Sequence, residues 1–291
     1  MNIDARSALK KFNLHPTKSL GQNFLNDGGV LKDIADAAQL TKNDIVLEIG
    51  PGLGSLTSEL AEAAGMVIAV EIDKHLIPAL NENLKAYSNV KIINGDIMRL
   101  NIEEVISDVR KSMRDDSDAP VSLKIVANLP YYITTPVIMM LLESRIEAET
   151  MVFMIQKEVA DRMMAKPGGK DYGALSVAVQ YYSKPSVIME VPPHCFVPQP
   201  GVVSTVVRLD IYKTPPVELN DRELFFKVVK AAFGQRRKTL INALFNAGTF
   251  GQSKEQFKEL LIKMGIGENQ RGETLSIEQF AELSNMISKS V

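Results

Sequence analysis

The chain has 291 residues, 45% of them hydrophobic and 23% charged, with a formal net charge of −2. This is ordinary globular composition, enough for one large domain or a large domain with a small companion, and it excludes a global basic signature for nucleic acid, so any polyanion site must be local. A single cysteine, Cys195, and three histidines exclude an intramolecular disulfide and a cysteine-cluster metal site and speak against a histidine-based one, so no metal is expected.

Met1 to Lys11 carries Arg6, Lys10 and Lys11 but no apolar core of a secretory signal, and no stretch approaches the roughly 18 uninterrupted apolar residues of a membrane span. A cytoplasmic protein with no membrane partner is expected. From Ile34 to Val207 short apolar runs alternate with helical patterns, the rhythm of an open α/β sheet. Strands are predicted over Ile45–Ile49, Met66–Glu71, Val90–Asn94, Leu123–Asn128, Thr150–Ile155, Ser186–Val191 and Val203–Asp210. Between them, apolar residues at three- and four-residue spacing predict helices over Leu56–Ala64, Leu76–Leu84, Pro136–Ser144, Val159–Lys166 and Gly173–Tyr181.

The first predicted strand runs into Glu48-Ile49-Gly50-Pro51-Gly52-Leu53-Gly54, a strand, glycine turn and helix start that lets a ligand approach the backbone closely. The spacing is G-x-G-x-G, not the G-x-G-x-x-G of a dinucleotide site, which disfavours NAD; the alternative is a plain tight turn. Glu71 and Asp96 stand at the ends of the next two strands. In an open parallel sheet such ends line the ligand crevice, where carboxylates can accept ribose hydroxyls or an adenine amino group, although either alone also reads as a solvated strand-end carboxylate. S-adenosylmethionine fits this set better than NAD does. Residues 107–120 read as a polar surface excursion without chemistry.

The fourth strand opens into Asn128-Leu129-Pro130-Tyr131. The Asn128 amide oxygen and a neighbouring backbone carbonyl can accept the two hydrogens of an exocyclic amine, Pro130 fixes the local φ, and Tyr131 offers a ring for a base, which together read as adenine-N6 chemistry. The bland reading is a buried strand ending in an ordinary proline turn. Further on, Phe196-Val197-Pro198-Gln199-Pro200-Gly201-Val202 has prolines at alternate positions that would hold Phe196 against the face of a base opposite Tyr131, or else form a connector whose Phe packs on the core. Cys195 itself, among Pro192, Pro193 and His194, reads as a small packed residue rather than a nucleophile.

After Pro215-Pro216 the pattern becomes helical throughout, over Asp221–Ala247, Lys254–Met264 and Ser276–Ser288, which predicts a small α-domain over 213–291 behind a larger one over 1–212. Between Arg222 and Leu240 six cations face one Glu. Arg236, Arg237 and Lys238 could contact phosphates there, the alternative being a solvated helix end.

Taken together these residues resemble the small-subunit rRNA adenine dimethyltransferases of the KsgA/RsmA type, and the likeness runs essentially end to end. Ser19-Leu20-Gly21-Gln22-Asn23-Phe24-Leu25 resembles the family's N-terminal cofactor motif; Glu48–Gly54, Glu71-Ile72-Asp73, Gly95-Asp96 and Asn128–Tyr131 follow its motifs in order. Gln156–Arg162, Lys170–Ser176 and Arg236–Leu240 look like further signatures. The resemblance implies a Rossmann-like class I methyltransferase fold, α/β with a seven-stranded mostly parallel sheet, plus a C-terminal all-α domain that binds RNA or the ribosome. It implies dimethylation of N6 of two adjacent adenines in the 3′-terminal hairpin of 16S rRNA, from S-adenosylmethionine, with S-adenosylhomocysteine as product. Gln22, Asn23, Leu25, Gly50, Gly52, Glu71, Ile72, Asp96, Ile97 and Asn128 would contact the cofactor, and Asn128, Leu129, Pro130, Tyr131 and Phe196 would form the target-adenine pocket. Gly201 departs from relatives that often carry Lys there, which puts one RNA contact in doubt. The rivals are a resistance-type methyltransferase acting on large-subunit rRNA and a non-catalytic ribosome-assembly or nucleic-acid-binding factor on the same scaffold. With no dimer signal among interface patches, a monomer is expected.

Overall fold

In the computed structural model the described residues are 3–17, 20–113, 121–144 and 146–289. Ser19 of the N-terminal motif and residues 114–120 of the predicted surface excursion lie outside them. In chain order the elements are α1 (Ala5–Lys11), β1 (Phe24–Leu25), α2 (Gly28–Ala37), β2 (Asp44–Ile49), α3 (Ser55–Ala63), β3 (Met66–Glu71), α4 (Ile77–Leu84), β4 (Val90–Asn94), α5 (Ile102–Met113) and β5 (Ser122–Asn128). There follow α6 (Thr134–Glu143), β6 (Ala148–Gln156), α7 (Lys157–Met164), α8 (Ala174–Tyr182), β7 (Ser183–Val191), β8 (Phe196–Val197) and β9 (Ser204–Ile211). The last four are α9 (Arg222–Gly234), α10 (Leu240–Ala247), α11 (Lys254–Lys263) and α12 (Ile277–Ser288).

Seven strands form one sheet in the order β4-β3-β2-β5-β6-β9-β7. Pairing is parallel from β4 through β6 and antiparallel between β6 and β9. Every residue of β2, and five of the seven in β5, is buried, as expected for parallel strands covered on both faces, which is why they read as apolar runs rather than as alternation. The connection from β2 goes to β3 on one side, while β5 takes its other edge, so the carboxyl ends of β2 and β5 form a topological switch point, where open α/β sheets bind ligands. Register brings the site residues to that edge: Ile49 faces both Val70 and Ala127, Glu71 faces Asn94, and Asn128 faces Met154.

A two-stranded sheet lies apart from the large one. β1 and β8 pair antiparallel, Phe24 opposite Val197 and Leu25 opposite Phe196, tying the N-terminal segment to the proline-rich one. Just before the proline-rich segment Pro193–Cys195 make a 3-10 turn, and within it the Val197–Pro198 peptide is cis.

The chain divides into two compact units, one of residues 1–160 and 185–211, the other of 161–184 and 212–291. The predicted boundary after residue 212 sits close to the last crossing, but 161–184, expected in the first domain, belongs to the second unit. Its Tyr172, Val177 and Tyr181 are buried in one cluster with Phe225, Phe257 and Phe280, and the Tyr172 hydroxyl donates to the Leu275 carbonyl at 3.0 Å. Within that unit Ser253 and Ser276 form capping boxes with Gln256 and Gln279 that start α11 and α12.

Two further expectations change. The single helix predicted over Asp221–Ala247 is two, α9 and α10, separated by a turn at 235–239. The predicted excursion from residue 107 is helical as far as Met113, because Ile102, Ile106 and Val109 share a buried face despite the charges around them. Neither α1 nor α2 was anticipated.

Candidate active site

A cleft opens at the switch point of the first unit. All the sequence-predicted cofactor and adenine-pocket residues line it: Gln22, Asn23, Leu25, Gly50, Gly52, Glu71, Ile72, Asp96, Ile97, Asn128, Leu129, Pro130, Tyr131 and Phe196. Arg236, Arg237 and Lys238 do not; they belong to the second unit.

The glycine turn after β2 explains its own composition. Gly50 and Gly52 have φ of +71° and +59°, a left-handed backbone that costs any side chain, and a Cβ on Gly52 would stand 3.1 Å from the Phe24 ring. The Gly52 N–H donates to Glu71 Oε2 at 3.0 Å, and the Asp73 N–H donates to Glu71 Oε1 at 2.8 Å. Two backbone donors thus fix the Glu71 carboxylate while each oxygen keeps a lone pair for another donor. Burial nevertheless pushes its pKa up, against those two hydrogen bonds. Asp96 is held by the Met98 N–H at 2.9 Å, with Arg99 Nε 3.5 Å from its other oxygen. The two neighbouring isoleucines differ: Ile97 is buried, whereas Ile72 is 50% exposed on the cleft rim.

The N-terminal segment crosses the opening through two side-chain ties. Gln22 Nε2 donates to Asp73 Oδ2 at 2.8 Å while Gln22 Oε1 accepts from the Thr17 N–H at 2.7 Å. Asn128 Nδ2 donates to the Asn23 carbonyl at 3.3 Å. That bond sets the orientation of the Asn128 amide and leaves Oδ1 as its acceptor end.

Around Asn128 the turn into α6 is stiff. The Leu129 N–H donates to Met154 O at 3.1 Å, and both the Ile133 N–H and Thr134 Oγ1 reach Pro130 O at 3.1 Å. Tyr131 Oη and Ser204 Oγ are 2.8 Å apart, which ties the ring to the start of β9. Burial raises the Tyr131 pKa, so the phenol stays neutral at ordinary pH. Phe196 is 1% exposed and packed with Leu25, Leu31 and Cys195, so it forms a buried wall of the cleft rather than a projecting arm. Cys195 is buried, and burial together with Asp27 pushes its thiol pKa up, as befits a packed residue.

Among the lining residues that the sequence does not mark as site residues are Glu48 and Tyr132. Glu48 is 1% exposed at the end of β2, and burial first, then the charge of Glu71, raises its pKa to about 8 against the opposing effect of the Thr57 hydroxyl. Tyr132 is 53% exposed at the mouth. Glu48 stands inside the glycine-turn motif and Tyr132 one residue beyond Asn128–Tyr131, but nothing in sequence spacing tells which strand-end carboxylate is sealed or which of two tyrosines faces out.

On the second unit Arg236 is engaged by its own surroundings. Its Nη2 donates to Lys170 O at 2.6 Å and to Tyr172 O at 3.3 Å, and its Nε lies 3.6 Å from Glu273. Arg237 and Lys238 are exposed on the turn between α9 and α10. Gly201 is exposed, and a Cβ there would meet nothing within 4 Å. Among the described residues there is no cluster of metal-ligating side chains and no helix long and apolar enough to cross a membrane.

A switch-point cleft walled by a glycine turn, two strand-end carboxylates and an asparagine with its amide set by a backbone carbonyl is suited to bringing a nucleoside-bearing ligand against a planar amine. Comparison with known proteins points the same way. The chain is 49% identical over 286 residues to a ribosomal RNA small subunit methyltransferase A from Alkaliphilus oremlandii, covering 98% of this chain and 96% of that one. Its fold matches a dimethyladenosine transferase from Plasmodium falciparum with a TM-score of 0.76 at 25% identity, over 91% of this chain and 98% of the other. It also matches the 23S rRNA methyltransferase ErmE with a TM-score of 0.66 at 26% identity, over 91% and 100%. The family model for ribosomal RNA adenine dimethylase spans residues 13–289, and the chain belongs to that family.

Proposed function

We propose that the protein transfers methyl groups from S-adenosylmethionine to N6 of two adjacent adenines in the 3′-terminal hairpin of 16S rRNA in the small ribosomal subunit, leaving S-adenosylhomocysteine. The observation that carries this reading is the Asn128 amide, with Nδ2 spent on the Asn23 carbonyl and Oδ1 left as acceptor at the switch point.

Glu71, positioned by the Gly52 and Asp73 amides, is suited to the ribose hydroxyls, and Asp96 to the adenine amino group between Ile72 and Ile97. The bound cofactor supplies an electrophilic methyl group on a sulfonium. An adenine amine is a poor nucleophile because its lone pair is delocalised into the ring. Asn128 Oδ1 and the Leu129 carbonyl, by accepting its two N–H groups, favour a pyramidal nitrogen with the lone pair directed out of the ring plane. The new N–C bond forms as the C–S bond breaks, and the proton then leaves to solvent, so no strong base is required. Tyr131 supplies ring surface for the extruded base, offsetting an unstacking cost of roughly a few kcal/mol, while Phe196, almost wholly buried, is suited to backing the pocket wall. Arg237 and Lys238 are the exposed cations suited to rRNA phosphates, whereas Arg236 is suited to holding their turn.

The experiment is methyl transfer from labelled S-adenosylmethionine to small subunits lacking the modification, with large subunits in parallel and products digested to nucleosides. Dimethyladenosine from small subunits alone is expected. Label in large subunits instead would transfer the assignment to the resistance-type reading, and none in either would leave a binding factor. In the same assay Asn128→Ala is expected to lower transfer by about a hundredfold or more while subunit binding persists.

A further inference from the structure

Tyr132 has no part in the chemistry above, yet it lies at the cleft mouth one residue beyond Tyr131. Three aromatic side chains are conspicuously exposed among the described residues, Tyr132 at 53%, Phe245 at 42% and Tyr212 at 38%, and of these Tyr132 alone lines the cleft. Its backbone is not free to wander, because the bonds from Leu129 to Met154 and from Ile133 and Thr134 to Pro130 fix the turn on both sides of it. Its ring lies against Gly21, where a Cβ would come 3.5 Å from Cδ1 and 3.8 Å from Cε1, so the bare glycine backbone seats one edge of the ring. An aromatic on a fixed turn, seated along one edge and otherwise left in water beside a base pocket, is ring surface open to a ligand.

Extruding an adenine breaks its stacking on both neighbours and leaves at least one flanking base with a bare face. An aromatic ring at the pocket mouth can cover that face, and purines offer the larger surface. We propose that Tyr132 is the stacking platform for the nucleotide next to the target adenine, and thereby a residue that sets which sequence is accepted. The inference rests on the adenine-methylation reading above. With two adjacent target adenines, the base on the platform is itself an adenine for one of the two transfers, and the nucleotide flanking the pair takes that place for the other.

The test compares wild type with Tyr132→Ala, Tyr132→Phe and Tyr132→Trp on small subunits lacking the modification. The readouts are KM and kcat for subunits at saturating S-adenosylmethionine, subunit binding by co-sedimentation, cofactor affinity by calorimetry, and thermal unfolding. Expected for Tyr132→Ala is a KM for subunits raised about tenfold, a matching loss of binding, kcat within about twofold, and unchanged cofactor affinity and melting, with Phe and Trp restoring KM. An unaltered KM and binding in Tyr132→Ala would overturn the proposal. So would a Phe variant as impaired as Ala, which would mark a hydroxyl contact, or a loss of cofactor affinity, which would place the ring in the cofactor wall. Wild type inert toward small subunits would instead count against the functional reading, and co-sedimentation of the Tyr132 variants would still decide for or against the platform.

Discussion

Glu48 sits among the lining residues with almost no access to water, and its Oε2 has no hydrogen-bond partner among the described residues. Glu71, a few residues beyond on the neighbouring strand, is equally sealed but receives two backbone N–H groups. The two carboxyls therefore divide their roles: the one with donors suits a ligand grip, and the one without holds a proton, at a pKa of about 8 against 4.5 for the ordinary side chain. Because the folded value lies above the unfolded one, the stabilising contribution is complete below pH 4.5, falls as the pH rises, and is fully lost above pH 8. By linkage the swing is at most about 5 kcal/mol. Glu48→Gln keeps the shape of the protonated acid and removes the titration. Urea unfolding at pH 5 and pH 8.5 is expected to show the wild type losing several kcal/mol between the two, the variant losing much less and being the more stable at pH 8.5. Parallel losses in both proteins would show that Glu48 ionises at no cost in the fold.

At the scale of elements the β2–α3 turn is where sequence most directly dictates geometry. Gly52 combines a φ of +59° with a Phe24 ring 3.1 Å from where a Cβ would be, so Gly52→Ala meets strain in the backbone and a clash with β1 together. A stability loss of roughly 1–3 kcal/mol and weaker S-adenosylmethionine binding are expected, measured by chemical unfolding and calorimetry. Gly201→Ala, at an open position, is expected to leave both unchanged; equal effects at the two sites would contradict the steric account. This turn and the strands around it were legible because buried parallel strands and positive-φ glycines leave marks within a few residues. Phe24–Leu25 and Phe196–Val197 left none, since two-residue strands have no periodicity and their partners are far apart in the chain. The break between α9 and α10 was hidden for the converse reason. Apolar spacing continues through Phe233 and Leu240, and what interrupts the helix is a turn of polar residues tied to elsewhere in its unit, with Arg236 on Lys170 and the Leu240 N–H on Gln270.

The whole molecule shows why a boundary at residue 212 is a poor place to cut. The second unit is assembled from two separate stretches, 161–184 and 212–291, and its core is shared between them. Tyr172 and Tyr181 come from the first stretch; Phe225, Phe257, Phe280 and Leu275 come from the second. Nothing in a composition shift at Pro215-Pro216 reveals that an earlier helix pairs with later ones, because such pairing is a matter of buried side chains rather than of local pattern. A fragment of residues 1–212 would keep α8 while losing α9 to α12, stripping cover from side chains whose burial is worth about 1.5–3 kcal/mol each. We expect that fragment to aggregate or to bind a hydrophobic dye strongly. A fragment that also replaces 161–182 with a short Gly/Ser linker is expected to stay monodisperse, since the seven strands of its sheet and its switch-point cleft are complete without them. Gel filtration with dye binding distinguishes the two, and a well-behaved 1–212 fragment would mean that α8 needs no cover from the C-terminal helices. Calorimetry with S-adenosylmethionine on the linker fragment then asks whether the cleft of the first unit suffices for the cofactor, as the confinement of Glu71, Asp96 and Asn128 to that unit requires.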